Sequence, residues 1–180
     1  MALDFRGAED LRFKFASWNL NRRRNTSIHG DVRLEILRSL KVDLLALQEV
    51  SRSFCALLNY HELFAWSDYS LEDSNTRPDG CALFGTSIFK LISSHVMKNV
   101  PFPEQTMICQ LESAAGPLTA CSFHIPNGSN HGIRHGDKKR ISGKAIAELL
   151  GRQRSRTVFG IDANSPKVDH PEPLSVDFDE

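Results

Sequence analysis

Four stretches of this chain run through apolar residues and end on amide, carboxylate or imidazole groups: FASWNLN (15–21), VDLLALQEV (42–50), CSFHIPNG (121–128) and VFGIDANSP (158–166). A run of this kind predicts a buried strand whose polar tip emerges where the sheet ends. If the four tips share one edge, Asn19, Glu49, His124, Asp162 and Asn164 meet there. A metal and a phosphate are the ligands that such a set suits.

The rest of the pattern places other elements between these strands. Residues 13–20 alternate and are rich in aromatics, which predicts a strand, and the polar stretch 21–30 reads as a loop. Asp31 is placed to cap a helix in which Val32, Ile36, Leu37 and Leu40 fall at helical spacing, with Lys41 closing it electrostatically. Residues 42–50 are a strand buried on both faces, with Asp43 at its start. A second helical pattern covers 53–64 and a turn-rich connection covers 67–80. Strands follow over 81–84, 87–92, 106–111 and 118–124, joined by short links that imply antiparallel neighbours. Residues 126–140 read as loop and 139–153 as a helix with Ile141, Ala145, Ile146, Leu149 and Leu150 on its apolar face. A last strand covers 157–161, and the tail 165–180, with Pro166, Pro171 and Pro173, is expected to be irregular. This mixture predicts an α/β (α+β mixed) class: a layered sandwich of two mixed β-sheets flanked by helices, in one domain over 1–180.

Composition narrows the setting without choosing a function. The chain has 180 residues, is 41% hydrophobic, and balances 22 Lys and Arg against 22 Asp and Glu. Zero net charge argues against long-range attraction to a polyanion, yet Arg22, Arg23 and Arg24, Lys138, Lys139 and Arg140, and Arg152, Arg154 and Arg156 concentrate positive charge locally. Solvated faces are the better explanation of each cluster when it is taken alone. No apolar stretch approaches the ~18 residues of a membrane span, and the N-terminus lacks an apolar targeting core, so no membrane span and a cytoplasmic location are expected. Cys55, Cys81, Cys109 and Cys121 are scattered, with no metal-binding pair, and read as reduced core residues.

Each polar tip has an ordinary explanation by itself: a strand terminus, a solvent-facing Gln48 and Glu49, a satisfied core His124. Their combination points further. Glu49 emerges after a long apolar run, and a carboxylate there with an amide nearby suits a hard, oxygen-seeking cation such as Mg²⁺. Asp162 and Asn164 are two apart at a strand end and are expected to point the same way.

These residues resemble the endonuclease/exonuclease/phosphatase superfamily of Mg²⁺-dependent phosphodiesterases and phosphomonoesterases. The resemblance lies in the W-N tip (Trp18, Asn19), the L-Q-E tip (Leu47, Gln48, Glu49), the strand ending in His124 with P-N-G after it (Pro126, Asn127, Gly128), and D-x-N (Asp162, Ala163, Asn164). The motifs occur in the superfamily's order. The resemblance implies that Glu49 binds Mg²⁺, with Mn²⁺ as a substitute, and that Asn19 shapes the metal and phosphate site. It implies that Asp162 polarises or deprotonates the attacking water, that Asn164 holds a phosphate oxygen, and that His124 belongs to the catalytic set. Asn127 and Asn21 become substrate-binding residues, although a turn role for Asn127 is as well supported. Histidine rather than tyrosine at position 124 is similar to the deoxyribonuclease-like and sphingomyelinase-like members and unlike the abasic-site repair branch.

The chain departs from the superfamily in one respect. The late Asp-His motif of its members has no match, since Asp169 and His170 follow Asn164 too soon for the chain to make the intervening elements. The C-terminal strands are therefore expected to be missing, with an open sheet edge available for association. The implied activity is a Mg²⁺-dependent phosphoesterase, foremost a phosphodiesterase or endonuclease on DNA or RNA. A small phosphorylated metabolite or a phospholipid is the alternative substrate, and a non-catalytic binding module on the same scaffold is the alternative function.

Overall fold

A computed structural model describes residues 12–21, 28–58, 62–67, 79–125, 133–153 and 155–164. In chain order the elements are β1 (Phe15–Asn19), α1 (Ile28–Ser39), β2 (Leu44–Ser51), α2 (Arg52–Cys55), β3 (Glu62–Trp66), β4 (Asp79–Gly85), β5 (Lys90–His95), a 3₁₀ turn (Pro103–Gln105), β6 (Thr106–Ser113), β7 (Gly116–His124), α3 (Ile133–Arg152) and β8 (Arg156–Asp162). They build two four-stranded sheets, ordered β1-β2-β4-β3 and β5-β6-β7-β8. Each sheet is mixed. β1 runs parallel to β2 and β7 parallel to β8, while the other pairings are antiparallel. The expected sandwich of two mixed sheets flanked by helices is the one found.

Strand alternation explains the layering. In β2, Leu45 and Leu47 face Leu34 and Leu37 of α1, whereas Leu44 and Ala46 face the other sheet. In β7, Leu118 and Ala120 face inward and Cys121 and Phe123 face outward, where Ile146 of α3 covers them. Both central strands are buried on both faces, which is why each reads as an almost unbroken apolar run. The sheets approach closely beside Gly160: a Cβ there would lie 2.2 Å from Ser17 Oγ and 2.8 Å from Ala46 Cβ, so β8 requires glycine at this crossing.

Several boundaries differ from those the sequence predicts. Helical structure in the 53–64 stretch stops at Cys55, and Glu62–Trp66 is a strand paired with β4. Tertiary pairing of an aromatic-rich segment here overrides a helical spacing. Asp31 lies inside α1, which begins at Ile28, and Lys41 lies past its end with φ 45, leaving Arg38 in the last turn to donate to Leu57 O at 3.0 Å. The strand expected at 87–92 is Lys90–His95, because Phe89 N closes a turn on Thr86 O at 3.1 Å. The helix expected from 139 begins at Ile133, inside the predicted loop. Arg22, Arg23, Arg24, Asn127, Arg154 and the tail with Asp169 and His170 lie outside the described residues.

All four cysteines are free and buried. Burial pushes each thiol up to about 12, so they stay protonated and inert near neutral pH. Among the described residues no helix is long and apolar enough to cross a membrane. Among the described residues β8 is paired on one side only, and its Phe159 and Ile161 are 44% and 36% exposed beside the face that α3 covers.

Candidate active site

The inner face of the sandwich changes character along the strands. Phe15, Ala46, Ala120 and Val158 belong to the apolar layer between the sheets. Two residues further on, the same face carries Ser17, Gln48, Ser122 and Gly160, and at the strand ends it carries Asn19, His124 and Asp162. The parallel pairings set the strand ends level, with Asn19 opposite Gln48 and His124 opposite Asp162. This is why residues so distant in sequence share one rim.

Glu49 reaches the rim by a different route. Strict alternation would send it to the α1 side, opposite to the buried Gln48. The β2–β4 register shifts between Leu47 and Val50, and Glu49 adopts φ 50, a left-handed conformation that is uncommon outside glycine. This bulge turns the carboxylate inward, the re-aiming that bulges provide beside functional sites.

The side chains converge closely. His124, 5% exposed, places Nε2 3.1 Å from Glu49 Oε1 and 3.8 Å from Asp162 Oδ2. Asn19 Nδ2 donates to Asp162 Oδ2 in a short contact and to Glu49 Oε1 at 3.4 Å. Asp162 Oδ1 accepts from Asn164 N at 2.9 Å, which fixes the carboxylate from its other side. Asn164 also sits in the left-handed region, with φ 44. Its side chain therefore returns to the site through a turn rather than through the strand alternation that the sequence suggested.

Asn164 Nδ2 donates to Ile125 O at 2.6 Å and stands 2.9 Å from His124 Nε2, the ring nitrogen that also approaches Glu49 Oε1. Two carboxylates and this ring nitrogen face one another, with ligand atoms within 4.8 Å. A set of this kind could hold a divalent cation.

The flanks hold this arrangement in place. Leu20 N donates to Gln48 O at 2.9 Å and Arg33 Nη1 donates to Leu20 O at 2.7 Å, tying the end of β1 to β2 and α1. Asn21 contributes its backbone: with φ 52, its N–H holds Asn19 Oδ1 at 2.7 Å, and its side chain is exposed at the edge. Lys139 Nζ donates to Asn164 O at 3.2 Å, which puts one cation of the 138–140 cluster at the rim. Arg156 starts β8, roughly 20 Å of strand away from Asp162, so it lies at the opposite end from the site. Sequence reasoning gave Gln48 no role beyond its place in the L-Q-E tip: it is 1% exposed and bonded to Ser122 Oγ at 2.9 Å. Ser17 and Ser122, each two residues before a polar tip, were the available clue.

No family model and no curated protein matches the chain. Solved structures do. The chain is 16% identical to a humanized *D. rerio* TDP2 carrying 14 mutations, over 86% of this chain and 63% of that one, with a TM-score of 0.64. Another *D. rerio* TDP2 structure, complexed with single strand DNA product, is also 16% identical, over 84% and 60%, with a TM-score of 0.59. A β-hairpin deletion mutant of beta toxin from *Staphylococcus aureus* is 14% identical over 88% and 69%, with a TM-score of 0.65. The human nocturnin catalytic domain with bound sulfate anion is 20% identical over 76% and 56%, with a TM-score of 0.58. The chain thus spans less than two thirds of the TDP2 chains it matches. At these identities the likeness establishes the fold.

Proposed function

Because the chain has the fold of the endonuclease/exonuclease/phosphatase superfamily, we propose that it carries the metal-binding and water-orienting part of a divalent-metal-dependent phosphoesterase. The observation that carries this reading is the meeting of Glu49, His124 and Asp162 within 4.8 Å. Glu49, with His124 and Asp162 beside it, would hold Mg²⁺, or Mn²⁺ in its place. When bound, the ion supplies Lewis-acid stabilisation of charge developing on the phosphate and leaving oxygens.

The remaining chemistry belongs to the chain. Asp162, held by Asn19 Nδ2 and Asn164 N, keeps one orientation and accepts a proton from the attacking water. Asn19 turns its amide nitrogen to both carboxylates and so lowers the cost of placing them together. Asn164 Nδ2 stands beside His124 Nε2, where a phosphate oxygen would find a donor. Lys139 at the rim offers a cation to a flanking phosphate.

A phosphodiester of a nucleic acid is the favoured substrate. Lys139 brings a cation to the rim beside Asn164, where a flanking phosphate could meet it, and the DNA product bound to D. rerio TDP2 supports this choice. Incubation of the chain with bis(p-nitrophenyl) phosphate and with a single-stranded DNA oligonucleotide tests it. The expected result is hydrolysis that requires Mg²⁺ or Mn²⁺ and is lost in Glu49→Gln; equal turnover in that variant would refute the reading.

A further inference from the structure

Directly beneath the rim, the two sheets are joined by a buried hydrogen-bonded tie centred on Gln48. Its Nε2 donates to Ser122 Oγ at 2.9 Å and to Ser17 Oγ at 3.2 Å, and Ser122 Oγ donates to Leu47 O at 2.9 Å. Gln48 is 1% exposed and Ser122 0%. Ser17 and Gln48 belong to one sheet and Ser122 to the other. Much of the rest of this layer is apolar packing, whose contacts are non-directional, with further polar links at its far side from Ser67 Oγ to Glu104 O and Cys81 Sγ to Gln105 O.

The position of the tie is what gives it meaning. Ser17 precedes Asn19 by two residues, Gln48 precedes Glu49 by one, and Ser122 precedes His124 by two. The site itself is divided between the sheets, with Asn19 and Glu49 on one and His124 and Asp162 on the other. A sliding of one sheet by about 1 Å would spoil the 3.1 Å approach of His124 to Glu49, and misplacement of that size costs catalytic sites heavily. Hydrogen bonds are directional where dispersion contacts are not, so the buried Gln48 amide, together with the Ser122 Oγ bond to Leu47 O, constrains the offset beneath the rim.

We propose that Gln48 is a positioning residue: through Ser122 and Ser17 it sets the registry of the two sheets and thereby the spacing of the metal-binding side chains. The proposal rests on the phosphoesterase reading for its catalytic readout, and on geometry alone for its structural one.

The test uses Gln48→Met, which keeps an unbranched chain of similar volume and removes the amide, together with Ser122→Ala and the double variant. Three quantities are read: Mn²⁺ affinity by electron paramagnetic resonance titration, kcat and KM on bis(p-nitrophenyl) phosphate, and the side-chain amide resonance of Asn19 in ¹⁵N-labelled protein. The expected result is a loss of ~10-fold in kcat with KM within about twofold, a weakening of Mn²⁺ binding of similar size, a shifted Asn19 resonance, and a double variant no worse than Gln48→Met alone. Wild-type affinity and an unmoved Asn19 resonance in both single variants would overturn the proposal, as would losses that multiply in the double variant. Should Gln48→Met fail to fold, Ser122→Ala and Ser17→Ala decide it by the same readouts. A wild-type chain that binds Mn²⁺ but cleaves nothing would count against the phosphoesterase reading, and Mn²⁺ affinity and the Asn19 resonance would still decide the role of Gln48.

Discussion

The floor and the rim of the inter-sheet layer are built from the same strands and the same face, a few residues apart, yet they obey opposite rules. At the floor, Leu44, Ala46, Ala120 and Leu118 exclude water and fill space. At the rim, Glu49 and Asp162 bring two carboxylates onto one imidazole, Glu49 and Asn164 hold left-handed backbone, and the bonds run to named partners. The floor stabilises the fold. The rim consumes part of that stability, as expected where a site is organised for a ligand that neutralises it.

This contrast can be broken from either side. The largest expected effect is at the rim: Asp162→Asn lowers kcat by ~10²–10⁴, while the metal-free melting temperature stays level or rises because a carboxylate facing Glu49 has gone. Steady-state kinetics and calorimetry on one preparation check both halves. At the floor the expectation is reversed, with Leu44→Ala costing about 2–5 kcal/mol in urea unfolding and leaving kcat within a few fold in the folded fraction. Gly160→Ala sharpens the boundary between the two. Its new methyl meets Ser17 at the crossing of the sheets, so a loss of about 1–3 kcal/mol is expected together with weakened metal binding.

The smallest effect lies away from both regions. Burial raises the Glu104 carboxyl above its ordinary 4.5. A raised value means that the folded state holds the proton more tightly, so this group's contribution is fully present below the ordinary value and fades as pH rises through the raised one. Glu104→Gln should remove that decline, giving a flatter stability profile above pH ~4.5 with unchanged metal affinity; a profile as steep as wild type would show that the decline comes from other groups.

Much of the rim was legible in the chain itself. Asn19, Glu49, His124, Asp162 and Asn164 each follow an apolar run, and a run buried on both faces leaves its polar end at a sheet edge. What brings them together was less accessible. Alternation predicts the wrong side for Glu49, because a bulge depends on the register with β4, a partner thirty residues onward. Gln48 had no role beyond its place in the L-Q-E tip, since nothing local reveals that Ser17 and Ser122 lie across from it. The helix read at 53–64 failed for a similar reason: nothing local reveals that residues from Glu62 onward pair with β4, and that pairing decided it.

The central claim is that Glu49, His124 and Asp162 form a divalent-cation site on this chain. Titration of Mn²⁺ into the chain, followed by electron paramagnetic resonance, tests it most directly. The account predicts a single binding event in the wild type that weakens at least ~10-fold in Glu49→Gln and again in Asp162→Asn. Equal binding in all three proteins, or none in the wild type, would contradict it.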